Sequence, residues 1–329
     1  MIKFNNELIF LYSENARTKL KELSSTLQKS SQRLKYSLKG LNKEEVVYNP
    51  YCIFDYSQFG LVLFRVYFKG GYISENDKTE IIKKLNENPY VVSMYELSGE
   101  FDLAIEIESP NPSKFNKELR KVASLIPTLN KYKTLLNIVT HIYPRYYLTK
   151  NLELINKIPK EIIIGGDREK ENFDNNEMAV IKNLLINPKS RLTFLAKQSN
   201  LNVKTFNSIF KELKKKKIIR SFKHIVNTDK LNIYKFRLFL KIHNLNDERE
   251  KQLMDYMLET NEVVQLNKTV GDWNMEVDIE SLDKEKIKQI IIQIRSNFKD
   301  LIEDFNIIEF YKYYKKTYLP DYLFSEKEV

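Results

Sequence analysis

One register shift constrains this chain more than any local pattern. Sliding the sequence by 172 residues lays Leu20 and Leu23 on Leu192 and Leu195, and Leu38 and Leu41 on Phe210 and Leu213. The same shift lays Val46-Val47 on Ile218-Ile219, Phe64-Arg65 on Phe236-Arg237 and Val91-Val92 on Val263-Val264. Gly99 falls on Gly271, and Ile107-Glu108-Ser109 falls on Ile279-Glu280-Ser281, still without a gap. A constant offset of that length marks duplicated domains, because solenoid repeats are far shorter.

Each copy opens with three short helical patterns. In copy 1, Leu8, Leu11 and Tyr12 recur at helical spacing, and Thr18 reads as the N-cap before Leu20, Leu23 and Leu27. Ser30 or Ser31 then caps a longer helix that buries Leu34, Leu38 and Leu41. Copy 2 repeats this with Val180, Leu184, Leu192 and Leu195, then Asn202 as cap and Phe206, Phe210 and Leu213 inward. Two short helices joined by a tight turn form a helix-turn-helix pattern. Residues 46–54 and 218–227 read as β-hairpins that would supply a wing.

The outer face of the third helix carries Ser31, Gln32, Arg33, Lys35, Tyr36 and Lys39 in copy 1. In copy 2 it carries Lys204, Thr205, Asn207, Ser208 and Lys211, followed by Lys214 to Lys217, Arg220 and Lys223. Hydroxyl, amide and cationic groups of this kind can bond phosphates and base edges of duplex DNA. The net charge of +10 favours a polyanionic partner. Abundant lysine, asparagine and isoleucine throughout suggest AT-rich coding bias, and any soluble helix carries a polar face, so the charge by itself decides nothing.

The second half of each copy reads strand, helix, strand, strand, helix, strand: in copy 1, residues 61–68, 77–87, 91–97, 101–107, 112–125 and 133–143. Phe101, Leu103, Ile105 and Ile107 alternate with Asp102, Ala104, Glu106 and Glu108; Trp273, Met275, Val277 and Ile279 alternate with Asn274, Glu276, Asp278 and Glu280. The order predicts a ferredoxin-like βαββαβ sandwich with helices on one face of an antiparallel sheet. The other face bears Leu61, Leu63, Arg65 and Tyr67 in copy 1, and Lys235, Arg237 and Phe239 in copy 2. Arg65 can reach Asp102 or Glu106, and Arg237 can reach Asp278, which suggests an interface where the two sheets press together. The bland alternative is an exposed cross-strand ion pair of little energetic consequence.

The fold expected is α+β, with two copies of a winged helix-turn-helix plus a ferredoxin-like domain. The divisions are 1–58 and 59–148 for copy 1, a linker over 149–175, 176–230 and 231–320 for copy 2, and a short loose tail over 321–329. Within the linker, Ile162-Ile163-Ile164 could add a short strand. No segment reaches the roughly 18 apolar residues that a membrane span needs. The start Met1-Ile2-Lys3-Phe4-Asn5 lacks the apolar stretch of a secretory signal, and the single Cys52 suits a reducing cytoplasm. One cysteine and three scattered histidines (His141, His224, His243) offer little for a metal, so neither metal nor cofactor is expected.

Together these motifs resemble the Lrp/AsnC (feast/famine, leucine-responsive) transcription regulators. The carriers are Asn15-Ala16-Arg17 leading into Leu20-Lys21-Glu22-Leu23, Leu201-Asn202 before the third helix, Ile218-Ile219, Phe59-Gly60, Val91-Val92 and the turn Gly99-Glu100-Phe101-Asp102. The ending Tyr318-Leu319-Pro320 resembles double-length members. The resemblance implies a cytoplasmic, sequence-specific regulator of transcription that binds double-stranded DNA. It also implies an amino acid or small metabolite as effector near the glycine turn, and a dimer supplied here within one chain, with higher assembly left open. Effector residues would be Gly99 and Asp102 in copy 1, and Gly271 and Asn274 in copy 2. Asp102 would pair the ammonium that neutral Asn274 cannot, unless the glycines only make the turn. Copy 1 departs from the pattern with Gln28 where the family has glycine, and with Glu44-Glu45 beside its third helix.

Sirohaem decarboxylases resemble the same two-domain fold and can also occur in tandem. They would be expected to carry a histidine with basic residues on the strand after the first helix of the ferredoxin-like domain. Those strands read Val91-Val92-Ser93-Met94-Tyr95-Glu96 and Val263-Val264-Gln265-Leu266-Asn267-Lys268, without histidine. The expectation is therefore a DNA-binding regulator that is not an enzyme. A decarboxylase-like tandem enzyme and a sensor module without DNA binding are the alternatives.

Overall fold

The computed structural model describes residues 5–69, 74–125, 131–244 and 246–325. The reading of the first four residues, and residues 326–329 of the expected tail, lie outside these. Copy 1 begins with α1 (Asn6–Glu14), α2 (Leu20–Leu27), α3 (Ser31–Lys43) and β1 (Val47–Phe54). It continues with β2 (Val62–Lys69), α4 (Glu75–Glu87), β3 (Val91–Ser98), β4 (Leu103–Ser109), α5 (Pro112–Ser124) and β5 (Lys131–Ile142). The connection holds α6 (Leu152–Ile155) and β6 (Ile162–Gly165). Copy 2 has α7 (Asn175–Ile186), α8 (Leu192–Gln198), α9 (Val203–Lys215) and β7 (Ile219–Val226). It ends with β8 (Tyr234–Ile242), α10 (Asp247–Glu259), β9 (Val263–Val270), β10 (Met275–Ser281), α11 (Lys284–Asn297) and β11 (Ile302–Lys316). The chain is thus an α+β duplication of helix-turn-helix and ferredoxin-like units.

Local chemistry sets the helix starts. Ser30 Oγ accepts from the Arg33 N–H, and Asn202 Oδ1 accepts from the Thr205 N–H at 2.8 Å, each satisfying a donor that the first turn leaves unpaired. Thr18 does not cap α2; Lys19 holds that position, and its N–H donates to Glu22 Oε2 at 3.2 Å. The turn before each third helix is left-handed, with φ of 50° at Gln28 and 54° at Asn200.

The wings differ from the expected hairpins. Each is a single strand, and β1 pairs antiparallel with β7, Val47 opposite Val226 and Phe54 opposite Ile219. Neither segment has a hairpin turn within it: Asn49-Pro50 produces only a bulge. Each wing strand therefore finds its ladder partner in the other copy.

The ferredoxin-like sheets run β5-β2-β4-β3 and β11-β8-β10-β9. They do more than press face to face. β3 pairs with β11 and β5 pairs with β9, so the two sheets close into one ring of eight strands. Open sheet edges carry unpaired N–H and C=O groups, and mutual pairing of the four edge strands removes them. The helices pack outside, with Phe115 and Leu119 of α5 against Val66 and Ile105, and Ile290 and Ile294 of α11 against Leu238 and Val277. β6 extends the ring where β2 ends, with Ile162 opposite Ile142. Gly165 is required there: its φ is +83°, and a Cβ would lie 2.5 Å from Tyr56 Oη. The tail is not loose as far as Phe324, because residues 321–324 form a turn in which Tyr322 stacks on Tyr90 at 4.1 Å.

Candidate active site

Period-two alternation turns Arg65, Tyr67, Tyr95, Glu106, Arg237, Glu276 and Asp278 into the lumen of the ring. Arg65 bonds Glu106 at 2.8 Å and also Glu276; Arg237 forks onto Asp278 at 2.6 and 2.9 Å. Arg237 donates further to Tyr67 and Tyr95, Tyr67 donates to Glu276, and Asn267 Nδ2 donates to Glu276 at 3.1 Å. Both arginines are only 1% exposed. Such burial is tolerable because each charge is paired and hydrogen-bonded. Phe101 and Trp273 plug the lumen on the side of the glycine turns.

The opposite mouth faces the β1–β7 ribbon across a cleft of about 200 Å³. Its floor is Glu280, which accepts from Arg145 Nε and Tyr147 Oη at 2.8 Å each and lies 3.2 Å from Lys235. Although burial opposes its charge, Arg145 and Lys235 hold the Glu280 carboxyl down at about 2. Arg145 also reaches Glu14 of α1 at 3.2 Å, tying the helix-turn-helix to the ring. Tyr48, Tyr51 and Tyr313 supply rings to the cleft, and Lys312 and Lys316 supply further cations. A trough of about 430 Å³ adjoins it, sharing Ile225 and Lys316 and adding Lys189 and Lys315.

Lys316 stands where these spaces meet. Its Nζ donates to Tyr313 Oη at 3.2 Å and lies 4.3 Å from the centre of the Tyr313 ring and 5.3 Å from that of Tyr51. Burial first, then Lys235 and Arg145, pull its ammonium down to about 7. An amine with that value is half protonated at neutral pH and can give or take a proton there.

The repeat places Glu108 at the counterpart of Glu280. Here Leu63 replaces Lys235 and Thr317 replaces Arg145, so neither of the cations that hold Glu280 has a counterpart. Burial, with Glu106 and Asp55 nearby, pushes the Glu108 carboxyl well up and favours its protonated form. Tyr56, Tyr318 and Ile164 of β6 help close this side to a chamber of about 20 Å³.

The residues singled out in the sequence are scattered otherwise. Ser31, Gln32, Arg33, Lys35, Tyr36 and Lys39 are exposed on α3, Tyr36 at 82%. On α9, Lys204, Ser208, Lys211 and Lys214 are exposed, while Thr205, Asn207 and Arg220 of β7 are half-buried. None of these lines the cleft. Gly99 and Gly271 make the strand turns with φ of 118° and 145°. Asp102, expected to be available to a ligand ammonium, pairs instead with Lys69 at 2.9 Å, and Asn274 accepts from the Ile242 N–H at 2.8 Å. Arg65, Glu106, Arg237 and Asp278 are the lumen ions described above. His141 pairs with Glu161 at 2.7 Å, His224 stacks on Tyr12 at 4.3 Å, and His243 bonds the Leu301 carbonyl through its backbone. Sequence reasoning missed Arg145, Lys235, Glu280 and Lys316 as a group. The signal available was the run Phe310-Tyr311-Lys312-Tyr313-Tyr314-Lys315-Lys316, aromatic and basic together at a strand end.

No family model matches the chain, and no curated protein does. Among solved structures, the siroheme decarboxylase NirDL matches over 96% of this chain and 93% of its own, with a TM-score of 0.58 and 13% identity. The same enzyme in complex with an iron-uroporphyrin III analogue matches over the same shares, with a TM-score of 0.57. An AsnC family transcriptional regulator from Agrobacterium tumefaciens covers 41% of this chain and 88% of its own, at 15% identity and a TM-score of 0.36. These likenesses concern the fold. The whole-chain neighbours are nevertheless an enzyme, and they correct the expectation of a sequence-specific DNA-binding regulator without enzymatic activity. Among the described residues no helix is long and apolar enough to cross a membrane, and no group of acidic, histidine or cysteine side chains could hold a metal ion.

Proposed function

We propose that this chain is an enzyme that decarboxylates an acetate side chain of a carboxylate-rich tetrapyrrole of the sirohaem type. The observation that carries this reading is Lys316, poised to titrate near neutrality in a cleft lined by cations and tyrosine rings. Lysine and arginine head groups bind the carboxylates of such a substrate, and aromatic rings pack against its flat apolar face. The cleft alone is too small for a whole macrocycle, so the substrate places one edge there and extends along the adjoining trough past Lys189 and Lys315.

The reaction needs no oxidant. The bond between the methylene carbon and the carboxylate breaks, CO2 leaves, and the electron pair stays on the carbon, delocalised into the macrocycle. A proton from the Lys316 ammonium then converts that carbon to a methyl group. β3 and β9 carry no histidine, so Lys316 takes the role of proton donor on a different strand, β11. Sirohaem incubated with the protein should lose CO2, read by mass spectrometry of the tetrapyrrole. Lys316→Met should cut the rate by about 10²–10⁴-fold. Bound but unchanged sirohaem, or a Lys316→Met variant as fast as the parent, would remove this reading.

A further inference from the structure

Glu108 is 1% exposed, and its Oε2 has no hydrogen-bond partner among the described residues. A buried unpaired carboxyl oxygen is costly and asks for an explanation. It borders the small chamber behind the cleft, and Lys316 borders the same chamber. The volume of about 20 Å³ exceeds the roughly 10–15 Å³ that one water requires, and is too small for an organic ligand. The walls offer Ser93 and Thr140 as further hydrogen-bonding partners.

Resting on the decarboxylase reading, we propose that one water in this chamber joins Glu108 to Lys316, and that Glu108 is the positioning residue that returns a proton to Lys316 while substrate closes the cleft.

The step balances. After Lys316 has protonated the substrate carbon, the neutral amine takes a proton from the water, and the water takes one from the Glu108 carboxyl. An ammonium and a carboxylate result, and solvent restores the carboxyl when product leaves. The surrounding charges act both ways on this transfer. Arg65 is on the wall but is bonded to Glu106, and Glu106 and Asp55 oppose a carboxylate at Glu108, so the proton pair is short-lived until solvent restores the carboxyl. Asp55, the other nearby acid, is tied to Arg168 at 2.9 Å. Tyr56, Tyr318 and Tyr322 face the group as well, and all three are held un-ionised by burial. On the Lys316 side stand Lys235 and Arg145, which favour the neutral amine, and Glu106 and Asp278, which favour the ammonium.

Glu108→Gln keeps the shape and abolishes the exchangeable proton. Above pH 7 it should lower kcat severalfold with KM unchanged, and at pH 6 solvent protons should erase the difference. Equal kcat at all pH values, or a loss seen only in KM, would overturn the relay. A second measurement does not depend on any substrate. Infrared difference spectra of the resting protein at neutral pH should show a carboxylic acid band that Glu108→Gln removes and Lys316→Met shifts. A band insensitive to Lys316→Met, or no band assignable to Glu108, would overturn the relay even if decarboxylation were established. The infrared result as expected, with no turnover of sirohaem, would keep the proton link and defeat only the assigned substrate.

Discussion

Glu280 and Glu108 occupy the same position in the two copies, yet the two cations that hold Glu280 have no counterpart at Glu108. Glu280 meets Arg145, Lys235 and Tyr147; Glu108 meets leucine and threonine where those cations would be. One carboxyl is held down at about 2, the other is pushed well up by burial. The difference shows what duplication within one chain permits. A dimer of identical subunits must build the two halves of this mouth alike, whereas this chain opens one half as a cationic cleft and closes the other with Tyr56, Tyr318 and β6.

The largest expected effect breaks that contrast directly. Glu280→Gln removes the carboxylate that buried Arg145 and Lys235 share, leaving them only Glu14 at 3.2 Å and Asp278 at 3.7 Å, and should cost up to the roughly 3–5 kcal/mol of a broken buried pair. Glu108→Gln, replacing a neutral acid by a neutral amide, should change stability little at acidic pH. Denaturant unfolding of both variants measures this; equal losses would mean that the two sites are not differentiated.

The pH dependence sharpens the comparison. The Glu280 carboxyl lies below its unfolded value, so its stabilisation is present above about pH 4.5 and lost as pH falls toward 2. The Glu108 carboxyl lies above its unfolded value, so its contribution is full below about pH 4.5 and lost as pH rises. Glu108→Gln should therefore stabilise the protein relative to the parent increasingly as pH rises above about 4.5, and Glu280→Gln should flatten the acid limb. A melting-temperature series over pH reads both slopes, and slopes of the same sign would contradict the assignment.

Lys316→Met should raise the melting temperature by a few degrees near pH 7, since a buried amine whose charged form is disfavoured opposes folding. A stability gain coupled to lost turnover would mark a group kept for function. A destabilised variant would instead make Lys316 part of the packing.

Much of this organisation was legible in the sequence, and its limits have physical causes. Alternation along β4 and β10 marks the face that lines the lumen, and the constant offset aligns Glu108 with Glu280. What sheet-edge pairing creates was hidden: period-two patterns say which way side chains point, and say nothing about whether β3 meets β11. The wings were misread for the same reason, since their partners lie in the other copy. Lys316 escaped notice because its significance depends on what packs around it. Lysine is common throughout this chain, and only Tyr51, Tyr313, Lys235 and Arg145 distinguish this one.

The smallest expected effect concerns the turns before α3 and α9. Left-handed backbone is costlier for glutamine than for asparagine, whose short side chain tolerates it. Gln28→Gly should stabilise by less than about 1 kcal/mol, and Asn200→Gly by nearly nothing. Equal gains would show that the turns in the two copies are equally strained.

On the proposed function, the Glu280 half of the ribbon-facing mouth binds a tetrapyrrole and the Glu108 half does not. Titration of the protein with sirohaem, followed by absorbance and by release of CO2, tests it most directly. Saturation is expected at one sirohaem per chain, with turnover that Lys316→Met slows by about 10²–10⁴-fold. Two sirohaems per chain, or none, would contradict it.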